Sequence, residues 1–159
     1  MTDQTTEQTA TPFSLPASYY ADPEIYKLEM ERIFYRSWNF AGYASQLRSP
    51  GDYVTCKVGE ESIIVVRAQD QGLRAFYNVC RHRGTRLCAE EKGQFTPGLI
   101  RCPYHAWQYD LSGTLKTAPL MNGVSGFQKA DYTLFSAHVS LWGEIGLRRC
   151  LGSNTSSFQ

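Results

Sequence analysis

Two short segments of this 159-residue sequence each place a cysteine close to a histidine. Cys80 and His82 form a Cys-x-His pair, and Cys102 and His105 form a Cys-x-x-His pair. Thiolate and neutral imidazole both bind iron, and a [2Fe–2S] cluster of mixed ligation takes two cysteines on one iron and two histidines on the other. Because histidine is neutral, the reduction potential of such a cluster rises to roughly −150 to +300 mV. The two pairs therefore predict a protein that moves single electrons.

Two other interpretations of the same residues stay open. Two cysteines and two histidines also form tetrahedral zinc sites, which would make the chain a zinc-stabilised interaction module. Zinc-finger spacings usually pair Cys with Cys and His with His, whereas each segment here mixes the two. The four residues could also be ordinary core residues. That interpretation is weakened because the sequence has only three histidines, and two of them fall in the matched segments.

The composition is that of a folded, nearly neutral protein. Hydrophobic residues make up 42% of the chain and charged residues 19%, which suffices for one domain with a buried core. A net charge of +1 gives no global basic field for nucleic acid, and no apolar run approaches the roughly 20 residues that span a bilayer. The start of the chain lacks the pattern of a secretory signal, and five cysteines without one argue against a disulfide framework. We therefore expect a cytoplasmic protein with neither a nucleic-acid nor a membrane partner.

The elements that must position the two pairs are mostly strands. Residues 1–14 are rich in Thr, Gln and Ala and are predicted to be disordered. Asp22-Pro23-Glu24 is a helix start, with Asp as N-cap and Pro in the first turn, and apolar spacing extends the helix to about residue 36. Alternating and β-branched runs between turn residues predict strands near 38–43, 53–58, 62–67, 73–79 and 133–142. We predict a mainly β (α+β) fold, an antiparallel β domain with an N-terminal helix and both Cys–His segments at one end of its sheets.

Several neighbours of the four residues have types that suit a cluster site. Gly84 lets the backbone approach a cluster closely because it has no Cβ, and Pro103 stiffens the second segment. Nearby arginines make the surroundings basic, either to offset the cluster's negative charge or, as a further hypothesis, to guide an acidic redox partner. They are Arg81, Arg83, Arg86 and Arg101.

The remaining cysteines and the remaining histidine fall outside the pattern. Cys88 is expected to be a buried structural thiol, Cys56 to face a strand interior, and Cys150 to be an exposed thiol. His138 is expected on the exposed or half-buried side of a strand.

At residues 78–84 and 102–107 the sequence resembles the Rieske domain of ring-hydroxylating oxygenase α subunits. The lead-in helix from Asp22 also resembles that family, so that the likeness extends over about residues 15–143. The resemblance implies a Rieske [2Fe–2S] cluster with Cys80 and Cys102 on one iron and His82 and His105 on the other. It also implies a ferredoxin or flavin reductase as electron donor, an α-subunit trimer, and a mononuclear Fe(II) in the full-length parent. The parent reaction would be O₂-dependent hydroxylation or demethylation. The implied division is a helical lead-in at 15–45 and the Rieske domain at 46–143.

Three positions depart from patterns seen among Rieske proteins. Trp107 stands where the respiratory Rieske type has a serine that hydrogen-bonds a cluster sulfur, which implies a lower potential here. Ala106 replaces a common glycine, and we therefore expect an ordinary backbone conformation at that position. The third departure is a whole segment, residues 144–159, which is expected to be an atypical polar tail from a truncated or frame-shifted end.

No histidine follows His138, so the two-histidine, one-carboxylate triad of a mononuclear iron cannot be built from the remaining residues. The sequence thus predicts the electron-transfer domain of an oxygenase α subunit without its catalytic iron. The alternative is a stand-alone Rieske-type ferredoxin, a carrier with the same cluster and no substrate.

Overall fold

A computed structural model describes residues 14–143 and, for residues 145–149, the course of the backbone. The disorder predicted for residues 1–14 and the exposure predicted for Cys150 lie outside the described residues, apart from Ser14. The helices are α1 (Ser18–Ala21) and α2 (Pro23–Arg32), and short 3₁₀ turns occur at Phe34–Arg36, Ala44–Gln46 and Lys129–Tyr132. The strands are β1 (Asn39–Tyr43), β2 (Asp52–Val58), β3 (Glu61–Arg67), β4 (Leu73–Tyr77), β5 (Lys92–Gln94), β6 (Leu99–Arg101), β7 (Gln108–Asp110), β8 (Leu115–Thr117), β9 (Ser136–Trp142) and β10 (Ile145–Arg149).

The strands form two antiparallel sheets. Seven strands pair in the order β1-β10-β9-β4-β3-β2-β5, and three pair in the order β6-β7-β8. The predicted mainly β fold with an N-terminal helix is therefore confirmed. None of the helices in the described part of the chain has the length and apolar character of a bilayer-spanning segment.

Strand β3 carries the centre of the core because it is buried on both faces. Successive side chains of a strand point to opposite faces. Accordingly, Ile64 and Val66 pack into one hydrophobic cluster, and Ile63 and Val65 pack into a second. The first cluster also contains both Cys80 and Cys102, so the larger core directly supports the two predicted cysteine ligands.

The N-terminal helix begins where the sequence predicts it and ends earlier. The Asp22 carboxylate accepts a hydrogen bond of 2.9 Å from the backbone N–H of Glu24, which is the geometry of an N-cap. Helix α2 stops at Arg32, and a 3₁₀ turn replaces its predicted last residues at Phe34–Arg36. The short helix α1 was not predicted.

The predicted polar tail contains a strand. Residues 145–149 form β10, which pairs with β9 on one side and with β1 on the other. Strand β1 therefore joins the large sheet through β10, although the sequence-based division placed β1 in the helical lead-in at 15–45 and residues 145–149 in an atypical polar tail. The glycine and the two arginines of this segment gave no sequence signal for a strand, although its backbone continues the sheet.

The small sheet is fixed against the large one at the turn between β7 and β8. Gly113 in this turn has φ +85°, and a Cβ added there would lie 2.6 Å from a ring carbon of Phe76 on β4. The turn at Ser112-Gly113, in which the Gly113 N–H donates to the Asp110 carbonyl at 2.9 Å, thus places β7 beside the core.

Candidate metal centre

Each Cys–His pair lies in a loop that leaves or joins a strand. The first Cys–His loop, residues 78–88, follows β4 directly, and the second Cys–His loop, residues 102–107, connects β6 to β7. In the first loop the Cys80 carbonyl accepts from the Gly84 N–H at 3.0 Å, and the Cys80 N–H donates to the Thr85 carbonyl at 2.8 Å. In the second, the Ala106 N–H donates to the Cys102 carbonyl at 3.1 Å. Both loops are therefore tight hydrogen-bonded turns, which hold their side chains in defined positions.

Gly84 and Ala106 both have left-handed backbone conformations, and that of Ala106 differs from the sequence-based expectation. Gly84 has φ +69°, and a Cβ added to it would meet no protein atom within 4 Å. Its conformation, rather than contact with the protein, is what favours glycine there. Ala106 has φ +56°, so the ordinary backbone predicted for it was wrong. The tight second loop imposes a left-handed residue after His105, whichever side chain occupies that position.

The two histidines face each other across the loops. The ring centroids of His82 and His105 lie 4.6 Å apart, at an interplanar angle of 71°. His82 Nδ1 is buried and has no hydrogen-bond partner. Burial lowers the pKa of His82, and the nearby His105 and Arg83 lower it further. A neutral imidazole with an unpartnered buried nitrogen is suited to bind a metal, because the metal supplies the interaction that the protein does not.

The two cysteines lie deeper, at the base of the same site. Cys80 and Cys102 are each 2% exposed. Burial raises the pKa of the Cys80 thiol, whereas the Tyr109 hydroxyl and the His82 backbone N–H lower it and the neighbouring Cys102 raises it. Without a metal, Cys80 would therefore stay a neutral thiol. An iron pair would take up both thiolates and remove the cost of burying their charge.

The arrangement fits paired irons better than a single ion. The Cys80 and Cys102 side chains are neighbours, and the His82 and His105 rings face each other, so the four residues form a cysteine pair and a histidine pair. A tetrahedral zinc site needs four ligands around one point. Each iron of a mixed [2Fe–2S] cluster takes two protein ligands and two sulfides, so its ligands fall into two separated pairs.

Trp107 closes one side of the site. Its ring stacks on His82 with a centroid distance of 4.7 Å and an interplanar angle of 8°, and the residue is 1% exposed. Phe127 and Tyr132 pack edge-on against the indole. On the other histidine, the exposed Tyr104 ring lies 3.7 Å from the His105 ring, centroid to centroid. An aromatic ring thus lies against each imidazole.

Arg81 has a structural role that its sequence position did not reveal. Its guanidinium donates to the carbonyls of Thr133 at 2.9 Å and Asp131 at 3.2 Å, and it lies 3.8 Å from the centre of the Phe135 ring. The side chain therefore joins the first Cys–His loop to the segment before β9. The hypothesis that arginines guide an acidic partner stays a prediction for Arg83, Arg86 and Arg101, all of which are exposed.

Two residues of the site were not predicted from the sequence. The Tyr109 hydroxyl lies 3.3 Å from Cys80 Sγ and accepts from the Arg81 N–H at 3.2 Å. Asn78 is 5% exposed and is the buried polar residue among those described. An asparagine near the end of a predicted strand, and a tyrosine in the small sheet, are weak signals that become informative only when the three-dimensional structure is known.

The environments of Cys88, Cys56 and His138 agree with the sequence-based expectations. Cys88 is 5% exposed, and burial raises the pKa of its thiol to about 12. Cys56 is half-buried on β2 and packs against the second core cluster. His138 is exposed on β9.

Comparison with known proteins agrees with this geometry. The Rieske [2Fe-2S] domain family matches residues 37–128. The chain is 37% identical over 131 residues to the glycine betaine monooxygenase oxygenase subunit of Pseudomonas aeruginosa, covering 82% of this chain and 30% of that protein. It is 44% identical over 100 residues to the benzene 1,2-dioxygenase subunit alpha of Pseudomonas putida, covering 63% of this chain and 22% of that protein.

A solved structure gives the same result for the fold. The apo form of the quaternary ammonium Rieske monooxygenase CntA superposes with a TM-score of 0.82 at 34% identity, covering 87% of this chain and 40% of that one. The chain thus spans well under half the length of these relatives. The matched residues contain both Cys–His loops, and the chain belongs to the Rieske [2Fe–2S] domain family, in the form found in oxygenase α subunits.

Proposed function

We propose that Cys80, His82, Cys102 and His105 bind a Rieske [2Fe–2S] cluster, with the cysteines on one iron and the histidines on the other. The observation that carries the proposal is the meeting of the two loops. His82 and His105 lie 4.6 Å apart, and His82 Nδ1 is buried without a partner. When bound, the cluster supplies a one-electron redox centre.

The protein's own groups set the conditions for that centre. Burial of Cys80 and Cys102 keeps water from the sulfurs, and the Tyr109 hydroxyl offers a hydrogen bond to Cys80 Sγ. Trp107 stacks against His82 and fixes the plane of its ring. These groups would orient the ligands, and the hydrogen bond from Tyr109 would favour the reduced form of the cluster.

The proposed role is electron transfer within an oxygenase α subunit. Electrons would come from a ferredoxin or flavin reductase and pass to a mononuclear iron, for O₂-dependent hydroxylation or demethylation. The support is similarity to relatives named as monooxygenase and dioxygenase subunits. The substrate class, an α-subunit trimer and a cytoplasmic location remain predictions of the same proposal.

A stand-alone Rieske-type ferredoxin is the second candidate. It is favoured by one observation: all four proposed cluster ligands lie within the described residues, and so does the core that supports them. The coding sequence downstream of residue 159 separates the two candidates. An in-frame domain with two histidines and a carboxylate for a mononuclear iron supports the oxygenase, whereas expression as this chain alone supports the ferredoxin.

The ligand assignment is tested by a pair of histidine variants. His105→Ala removes a proposed ligand, and His138→Ala removes the exposed histidine on β9 that lies apart from the site. We expect His105→Ala to lose the visible absorption and bound iron of the purified protein, and His138→Ala to keep both. Equal iron content in the two variants would contradict the assignment.

A further inference from the structure

Asn78 occupies the base of the first Cys–His loop, two residues before Cys80. It is 5% exposed, and both ends of its amide are fully used. Its Oδ1 accepts from the backbone N–H of Leu87 at 3.0 Å and of Cys88 at 2.8 Å. Its Nδ2 donates to the Cys88 carbonyl at 2.7 Å and to Ser62 Oγ at 3.1 Å. One side chain therefore holds the point where the loop returns to the core.

The same residue also ties the loop to the large sheet. The Asn78 backbone N–H donates to the Ser62 carbonyl at 2.8 Å, at the start of β3. The loop enters at Asn78 and returns at Leu87 and Cys88, so these bonds close it at its base. Between the closed ends lie Cys80 and His82, which make no hydrogen bond to a neighbouring strand of the large sheet.

Leu87 and Cys88 are 7% and 5% exposed, so water cannot replace Asn78 as the partner of their backbone groups. Removing the Asn78 amide would leave two buried N–H groups and one buried carbonyl unpaired. The loop would then gain by opening to let water in. Opening moves the first pair of proposed ligands away from the second pair.

From these contacts we propose that Asn78 is a positioning residue for Cys80 and His82: its amide closes the first Cys–His loop and thereby sets how firmly the cluster is held. The inference rests on the proposed cluster function and adds to it a residue outside the four proposed ligands. A donor and an acceptor are both needed, which asparagine provides and aspartate does not.

Four variants separate positioning from bulk stability. Asn78→Leu keeps the volume and loses the four side-chain hydrogen bonds, and Asn78→Asp keeps the two acceptor contacts and loses both donor contacts. Ser62→Ala removes only one arm of the network. Val65→Ala truncates the second core cluster, on the opposite face of β3, and destabilises the fold without touching the loop.

The measurements are the rate of iron loss to a chelator, the midpoint potential, and the hydrogen exchange of the Leu87 and Cys88 amides. We expect Asn78→Leu to lose iron at least about tenfold faster than wild type, since more than one buried polar group becomes unpaired. Asn78→Asp should be intermediate, and Ser62→Ala close to wild type. The potential should shift in the two Asn78 variants and not in Val65→Ala.

The result that overturns the proposal is an Asn78→Leu protein that loses iron no faster than Val65→Ala and has the wild-type potential. Failure of the cluster assignment is seen separately, as a wild-type protein without iron. In that case exchange still decides the role of Asn78. Leu87 and Cys88 amides that exchange at least about tenfold faster in Asn78→Leu than in Val65→Ala support loop closure, and equal rates contradict it.

Discussion

The Tyr109 hydroxyl lies 3.3 Å from Cys80 Sγ, and the substitution Tyr109→Phe removes that contact while keeping the ring. Burial raises the pKa of Tyr109, so the hydroxyl keeps its proton. A cysteine bound to iron has no S–H to donate. The hydroxyl must therefore be the donor to sulfur, while it accepts from the Arg81 N–H at 3.2 Å.

The sign and size of the effect follow from charge. Reduction adds one negative charge to the cluster, and a donor to a ligand sulfur stabilises the reduced form more than the oxidised form. If the difference is about 0.5 to 1.5 kcal/mol, the range of one net hydrogen bond, it corresponds to about 20 to 60 mV for one electron. Tyr109→Phe should therefore lower the midpoint potential by about that amount.

The assay is spectroelectrochemical titration of wild type, Tyr109→Phe and Tyr104→Phe. Tyr104 is the matched control because its ring also lies near a proposed ligand, while 62% of the residue is exposed. We expect the control to stay within about 10 mV of wild type, because an exposed hydroxyl exchanges readily with water. An unchanged or higher potential in Tyr109→Phe, with full cluster content, would refute the reasoning.

Three further predictions concern the surroundings of the site. Arg81→Lys keeps the charge but loses the contact with the two carbonyls, so the free energy of unfolding should fall by about 1 to 2 kcal/mol in denaturant titration. An unchanged free energy of unfolding would contradict the structural role of Arg81. Ala106→Gly relieves a left-handed alanine at about 1 to 2 kcal/mol and adds about 0.4 to 1 kcal/mol of unfolded-state entropy. Its free energy of unfolding by the same titration should be equal or up to about 1.6 kcal/mol higher, and a clear loss would contradict the left-handed conformation. The pKa of Cys88 is raised from 9.0 to about 12, so above pH 9 the unfolded chain releases a proton that the folded chain keeps, and stability falls as pH rises. Between pH 8 and 10, Cys88→Ser should lose about 1.4 kcal/mol less than wild type in denaturant unfolding, and parallel pH profiles would argue against the buried thiol.

The parts of the site that are local in sequence could be predicted from it. Cys80 and His82 are adjacent enough to be recognised as a pair, and the β-branched run of β3 marks a strand buried on both faces. Period-two alternation and turn residues suffice for such elements, because short-range sterics and burial decide them.

The contacts that bring the pairs together depend on long-range packing. Tyr109 meets Cys80 from 29 positions away, and Arg81 reaches Thr133 from 52 positions away. The sequence around each of these residues contains no pattern that predicts the contact. The left-handed Ala106 was missed for a related reason, since closure of the second Cys–His loop overrides the residue's own preference.

Strand β10 shows the same limit at the level of an element. Its sequence, with glycine and two arginines, reads as a polar tail. Two available edges, those of β1 and β9, give its backbone hydrogen-bond partners on both sides. Pairing with existing strands outweighs weak local propensity, and that cannot be seen before the sheet is known.

The central claim is tested most directly by the metal content and spectrum of the purified chain. We predict about two irons and two acid-labile sulfides per chain, with visible absorption and, after one-electron reduction, the electron paramagnetic resonance signal of a histidine-ligated [2Fe–2S] cluster. A protein that carries about one zinc per chain, or one whose iron has only cysteine ligands, would contradict the account.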